Sequence, residues 1–119
     1  MASLTRDAIL SVDDRPTEQV DVPEWGGHVL VSTMTGQERD QFEASLLNEK
    51  GQSKSANMDN LRARLATLCC VDDEGNRLFN QSDVERLGRK SALALNRIFI
   101  AAQRLNGIGD DAVEELAGN

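Results

Sequence analysis

The sequence predicts an α+β fold, mainly α, in which an N-terminal β-hairpin is followed by a small helical bundle. Three observations carry this prediction. The runs TEQVDV (17–22) and HVLVST (28–33) alternate apolar and polar residues on either side of PEWGG. Two such runs across a Pro/Gly loop make a hairpin. Farther on, apolar residues recur at the three- and four-residue spacing of a helix over 58–68 and 90–105. Helix-start signals of the form Ser/Thr-x-x-Glu stand at 35–38 and 82–85. With 119 residues, 39% hydrophobic and 28% charged, the chain suits one domain, 1–119, around one modest core.

The elements follow in order. Thr5 caps a short helix over 5–11, with Asp7 in its first turn, and DDRP breaks it. In TEQVDV the residues Glu18, Val20 and Val22 share a face. Pro23 ends the strand because it has no N–H for the ladder, and Gly26 and Gly27 supply positive φ where the chain reverses. In the returning strand Val29 and Val31 face one way and Leu30 the other. TGQE then forms a capping box in which Thr35 and Glu38 each serve the other's backbone N–H. Phe42 and Leu46 lie on the inner face of that helix. The stretch 48–57, NEKGQSKSAN, has a single apolar residue, Ala56, and reads as a mobile loop.

Met58, Leu61, Leu65 and Leu68 form the next helical stripe, with Arg62 and Arg64 outside it and Cys69-Cys70 still within the helix. DDEGN (72–76) is a turn. SDVE (82–85) is a second capping box, opening a short helix that stops near Gly88. KSALALNRIFIAAQRL (90–105) is the longest helix, stopped by Asn106-Gly107. Asp110 begins a last short helix carrying Val113 and Leu116. The long helix is apolar on two sides: Leu95, Ile98, Ala102 and Leu105 on one, Leu93, Phe99 and Ile100 on another. Such a helix is either packed on both sides or meets another chain with the second face.

Composition narrows the function. A net charge of −7 argues against nucleic-acid binding, which needs clustered Lys and Arg. No run of 18 apolar residues offers a membrane span, and the N-terminus lacks the pattern of a signal peptide, so a cytosolic location is expected. Charge is uneven: residues 77–104 hold six bases against Asp83 and Glu85. A protein partner met through patches of both signs is expected.

Little in the sequence does chemistry. His28 has no Ser, Cys or Asp placed to make a relay. Cys69 and Cys70 are adjacent, a strained arrangement for a mutual disulfide, and read as reduced packing residues. The calcium-loop pattern fails at DDEGN, because Gly75 would place the loop's first Asp at Cys70. Gly26-Gly27 lacks the GK[ST] of a phosphate loop. No catalytic residue, cofactor or metal site is expected. Trp25, the only tryptophan, is either a lid over the hairpin's apolar face or an anchor for a partner.

The ordered set of motifs resembles a known family. VDVPEWGGHVLVSTMTGQERDQFE is similar to the opening of tail assembly chaperones of long-tailed bacteriophages and prophages, where a VPEWGG hairpin precedes a TG-x-ERD-x-FE helix. The later stretch NLRARLATLCCVDDEGNRLFNQSDVERLGRKSALALNRIFIAAQRLNG resembles the same family in its acidic-Gly turn, LF…DV…LG segment and long final helix. The resemblance covers roughly residues 5–117 and departs at Cys69-Cys70, where small aliphatics are the family's pattern. It implies a non-enzymatic protein of the host cytoplasm that binds the tape measure protein, keeps it soluble and helps recruit tail tube protein. It also implies absence from the finished virion; a frameshifted longer form is common in the family. Trp25, Leu93, Phe99 and Ile100 are the expected partner-binding residues, and self-association is expected through the second face of the long helix. Two other classes stay open: a small acidic inhibitor that imitates DNA's charge, and a structural tail or head component retained in the particle.

Overall fold

The computed structural model describes residues 2–46 and 60–108. The loop expected at 48–57, Met58 and the helix expected from Asp110 lie outside them. Helix α1 (Arg6–Ser11) begins where the Thr5 hydroxyl accepts from the Ala8 N–H at 3.1 Å. Strands β1 (Thr17–Val22) and β2 (Gly27–Ser32) form the hairpin, paired antiparallel with Val20 opposite Val29 and Glu18 opposite Val31. Between them Pro23–Trp25 make one tight 3-10 turn closed by Gly26 at φ 75°. Only Gly26 needs positive φ there; Gly27 already belongs to β2.

Helix α2 (Gly36–Ser45) opens on the expected capping box. Thr35 Oγ1 accepts from Glu38 N–H at 3.1 Å, and Glu38 Oε1 accepts from Thr35 N–H at 2.8 Å. Phe42 and Leu46 are buried on its inner side, as their spacing requires. Helix α3 (Leu61–Cys69) runs without a linking residue into strand β3 (Cys70–Val71), which pairs with β2 through Leu30–Val71 and Val31–Cys70. The hairpin is therefore part of a three-stranded sheet in the order β1-β2-β3. This corrects the placing of Cys70 in a helix: its backbone is extended because β2 offers it a ladder partner, Val31, far away in sequence, which helical spacing cannot reveal. Cys70 lies on the same sheet face as Val31, and Val71 on the face of Leu30.

The DDEGN turn is held by Asp72, whose carboxylate accepts from the N–H groups of Glu74 and Asn76 at 2.9 Å, with Gly75 at φ 86°. The second capping box is also displaced. Asn80 and Asp83 form it, around a 3-10 turn (Gln81–Asp83) that leads into α4 (Val84–Gly88). Ser82 donates to Asn80 rather than capping a helix. Helix α5 (Ala92–Leu105) starts at Ser91, which accepts from Ala94 N–H, and ends at Asn106 with Gly107 at φ 66°.

The core lies between the sheet and the helices. α5 packs across β1 and β2 and beside α3, and α4 packs on α3. Val20, Val22 and Val31 from the sheet meet Phe42 of α2, Leu65 of α3 and Ile98 of α5 in one buried cluster. On α3 the expected leucine stripe faces the core, with Leu65 buried and Leu61 and Leu68 packed against it half-buried, and Ala63, Ala66, Thr67 and Cys69 widen the buried face. Small side chains let neighbouring elements approach closely, and the buried Thr67 hydroxyl is satisfied by donating to Ala63 O at 2.9 Å.

Asn106 joins three of these elements. Its Oδ1 accepts from Met34 N–H at 2.7 Å, its Nδ2 donates to Ala102 O at 2.8 Å and approaches Cys69 Sγ at 3.6 Å, and its own carbonyl accepts from Arg39 at 3.2 Å. The outer edge of β1 pairs with no strand among the described residues, and it is bracketed by Pro16 and Pro23, the chain's only prolines. Glu38 also reaches across the fold to Arg77, at 2.8 Å from Nε. Burial pushes the Glu38 carboxyl up, but the Thr35 N–H and the Arg77 guanidinium outweigh burial and hold it below the usual 4.5.

Two outcomes follow from these contacts. Asn106→Ala leaves the Met34 N–H without its partner and should lower the unfolding free energy by about 1–3 kcal/mol. Urea denaturation with an unchanged slope measures it; an unchanged midpoint would show the contact to be incidental. Because the Glu38 pKa is depressed in the fold, its contribution is present above the unfolded value near 4.5 and is lost as pH falls through the lower folded value. The stability gap between the natural chain and Glu38→Gln should therefore close as pH drops below 4.5, read from thermal unfolding across a pH series.

Candidate partner-binding surface

Both cysteines are buried, and burial pushes each thiol up to about 12. A protonated, inaccessible thiol is a packing group rather than a nucleophile. His28 is exposed on β2. Among the described residues no three His, Cys, Asp or Glu side chains lie close enough to hold a metal ion.

The turn bearing Trp25 is fastened to α5. Glu24, its neighbour, forms a two-pronged ion pair with Arg97, with Nε and NH2 both at 2.9 Å. The pair holds the Glu24 carboxyl below its usual value and the Arg97 guanidinium above its own, the hydrogen bonds between them being the main cause. The Trp25 ring is half-buried and packs against the edge of the core. It is a partial lid that keeps one side open to solvent.

α5 divides the other three expected residues. Phe99 is 8% exposed, turned into the core beneath the Arg62 guanidinium, which lies 5.5 Å from its ring centroid. Leu93 and Ile100 are 58% and 51% exposed. They stand seven residues apart, two helical turns, on one solvent-facing stripe with Arg97 between them and Arg104 beyond. Arg104 is paired with Glu18 of β1. The α5 helix is thus packed on its Phe99 side and bare on its Leu93–Ile100 side, and the bare side adjoins the Trp25 turn through the Arg97–Glu24 pair.

A solved structure similar to this one is that of the bacteriophage HK97 tail assembly chaperone. The match covers 84% of this chain and 89% of that one, with a TM-score of 0.59 and 16% identity. The chain has the fold of that chaperone. No family model and no curated protein matches the sequence.

On that fold, one apolar surface escapes the sequence reading. α1 buries none of its residues, and Leu4, Ile9, Leu10 and Val12 are all more than half exposed. Their apolar character was visible in the sequence, but six helical residues span too few turns to show which side, if any, meets the body. No helix of the described residues is long and apolar enough to cross a membrane.

A half-buried ring sets the size of the Trp25 effect. Trp25→Ala should cost about 1–2 kcal/mol, the area term for partial burial, short of the ~3–5 kcal/mol of a fully buried aromatic. Tryptophan emission in the free chain should be only partly protected from iodide. A cost in the full-burial range, with complete protection, would make the ring a closed lid and remove it from the candidate surface.

Proposed function

We propose that this chain is a non-enzymatic phage tail assembly chaperone. In this reading it binds and solubilises the tape measure protein in the host cytoplasm, helps recruit tail tube protein, and leaves the assembly before the virion is complete. The observation that carries the reading is the likeness of fold to the HK97 tail assembly chaperone over most of both chains. The ordered motifs from VPEWGG to the final long helix support it independently.

The surface on α5 suits the task. A chaperone of a long helical chain has to cover apolar side chains without closing over them. Amphipathic helices are held through anchors at i, i+3, i+4 and i+7 laid against a matching apolar strip. Leu93 and Ile100 provide such a strip, and the open side of Trp25 extends it. Phe99 supports the strip from below, giving α5 a rigid back. The same strip, facing another copy, accounts for the expected self-association. α1, with its exposed Ile9 and Leu10, adds a second adhesive element at the N-terminus.

The exposed positions give a clean test. Leu93→Glu with Ile100→Glu should leave the fold intact, because surface changes away from packed features are usually within about ±0.5 kcal/mol. In co-expression, the natural chain should raise the soluble yield of the tape measure protein several-fold, and the double variant should lose most of that gain. No gain from the natural chain, folded and in excess, would defeat the chaperone reading. A gain undiminished in the double variant would place the contact elsewhere. Mass spectrometry of purified virions separates a chaperone from a retained component.

A further inference from the structure

The described cations of this chain fall into two sets. Arg6, Arg15, Arg39, Arg77, Arg97 and Arg104 each form an ion pair with a carboxylate, and Arg64 donates to Ser45 at the end of α2. Arg62, Arg86, Arg89 and Lys90 form no ion pair among the described residues, although Arg62 donates to Asn96 Oδ1 at 3.2 Å and lies over the Phe99 ring. This is unexpected in a chain with 20 acids and 13 bases, where a cation has more carboxylates than it needs. Glu85 stands four residues before Arg89 on α4 and makes no ion pair with it. The Asp83 carboxylate is occupied by the Asn80 N–H at 3.0 Å. Four positive charges without an ion pair among the described residues are thus gathered at one place, the elbow where α4 turns into α5 against the start of α3.

The same elbow is concave. A cleft of about 380 Å³ lies between the first turns of α3 and α5, with Leu61, Ala63 and Leu95 in its wall and Arg62 and Lys90 at its rim. A second cleft of about 240 Å³ adjoins it across Lys90, walled by Phe79 and Leu87 with Arg86 and Asp83 at its rim. α4 meets α3 closely here: a Cβ on Gly88 would stand 2.2 Å from the Asn60 side-chain oxygen. The combination is an apolar floor with a rim on which basic side chains outnumber the one carboxylate, Asp83.

We propose that this elbow is a docking site for an acidic protein segment that carries aliphatic side chains at helical spacing. The carboxylates would meet Arg62, Arg86, Arg89 and Lys90, and the aliphatic groups would enter the two clefts. Charge complementarity selects the occupant. A basic or neutral segment would leave the four cations unpaired. A nucleic acid would carry its phosphates past this short cluster on a chain of net charge −7, whereas a short peptide ends within it. At physiological salt the screening length is about 8 Å, so the distant acids that make the chain −7 overall do not repel a peptide held here. The site goes beyond the proposed chaperone contact: it specifies the charge of a segment, whichever protein supplies it, and lies beside the α5 strip because Ala92 lines the cleft and Leu93 follows it.

The test is fluorescence anisotropy of a labelled synthetic peptide of about four helical turns, with Glu and Leu at helical spacing, titrated with the full chain at about 0.15 M salt. Binding should weaken about tenfold or more in the triple variant Arg86→Glu, Arg89→Glu, Lys90→Glu, and by less in the matching Gln variant. Arg6→Glu, at a remote surface position, should change it little. All four positions are exposed, and circular dichroism with thermal unfolding confirms that the variants fold. A Lys–Leu peptide and a Glu–Ser peptide should each bind much more weakly. Absence of binding, an undiminished affinity in the triple variant, or equal binding of either control peptide overturns the proposal. An oligonucleotide of equal charge that competes at lower concentration would assign the elbow to nucleic acid instead. Because the probe is synthetic, failure here leaves the co-expression result for the chaperone reading untouched.

Discussion

The backbone N–H of Met34 sits where the sheet hands the chain to the helices, and its partner is the side chain of Asn106. Met34 is buried, so this donor has little access to water. A buried amide without an acceptor is costly. The Asn106 oxygen supplies the acceptor, and its nitrogen is fixed in turn by the last turn of α5 and by Cys69. One amide group thereby sets the end of α5 against both the start of α2 and the end of α3. Much else depends on that placement. With α5 so positioned, Ile98 and Ala102 meet the valines of the sheet, Arg97 reaches Glu24, and Arg104 reaches Glu18. The separate helix ends are joined by a group whose geometry admits few alternatives.

Local signals in the sequence were legible because they are satisfied locally. The Thr35–Glu38 capping box, the Thr5 cap, the Pro23 strand end and the hairpin itself each depend on residues within a few positions, and each stands in the structure as read. The failures share the opposite property. Cys70 reads as helical by spacing, yet β2 draws it into a strand. The SDVE signal is displaced because Asn80 is also a good cap and lies closer to the preceding turn. Asn106 reads as a helix stop, and it is one, but its larger role rests on Met34, seventy-two positions away. For the surface, exposure of Leu93 and Ile100 was one of two readings open for α5, and Phe99 fell on the other side from them. Unpaired cations cannot be seen in a sequence at all, since pairing is a matter of distance.

The two surfaces argued for function differ in kind. The α5 strip is apolar and lightly framed, and both of its nearby arginines are neutralised from within the chain. The elbow is charged and concave. Pairing Arg97 and Arg104 internally leaves the strip without strong electrostatic preference, which suits the proposed contact with many stretches of one long partner. Leaving Arg62, Arg86, Arg89 and Lys90 unpaired has the reverse effect, since they discriminate by charge. A single helix, α5, separates the two and begins in one while extending along the other.

The bracketing of β1 by the chain's two prolines has a consequence for how copies and partners can associate. A six-residue strand with a bare edge is a template on which any extended segment can add, and unfolded hydrophobic clients are rich in such segments. Pro16 and Pro23 at its ends, with charged Glu18 and Asp21 along it, make that edge short and poorly receptive. A protein that handles a sticky polypeptide through side chains on helices, while denying it a backbone to copy, can release its cargo. The alternative is growth by strand addition into an insoluble cross-β deposit, from which nothing is released.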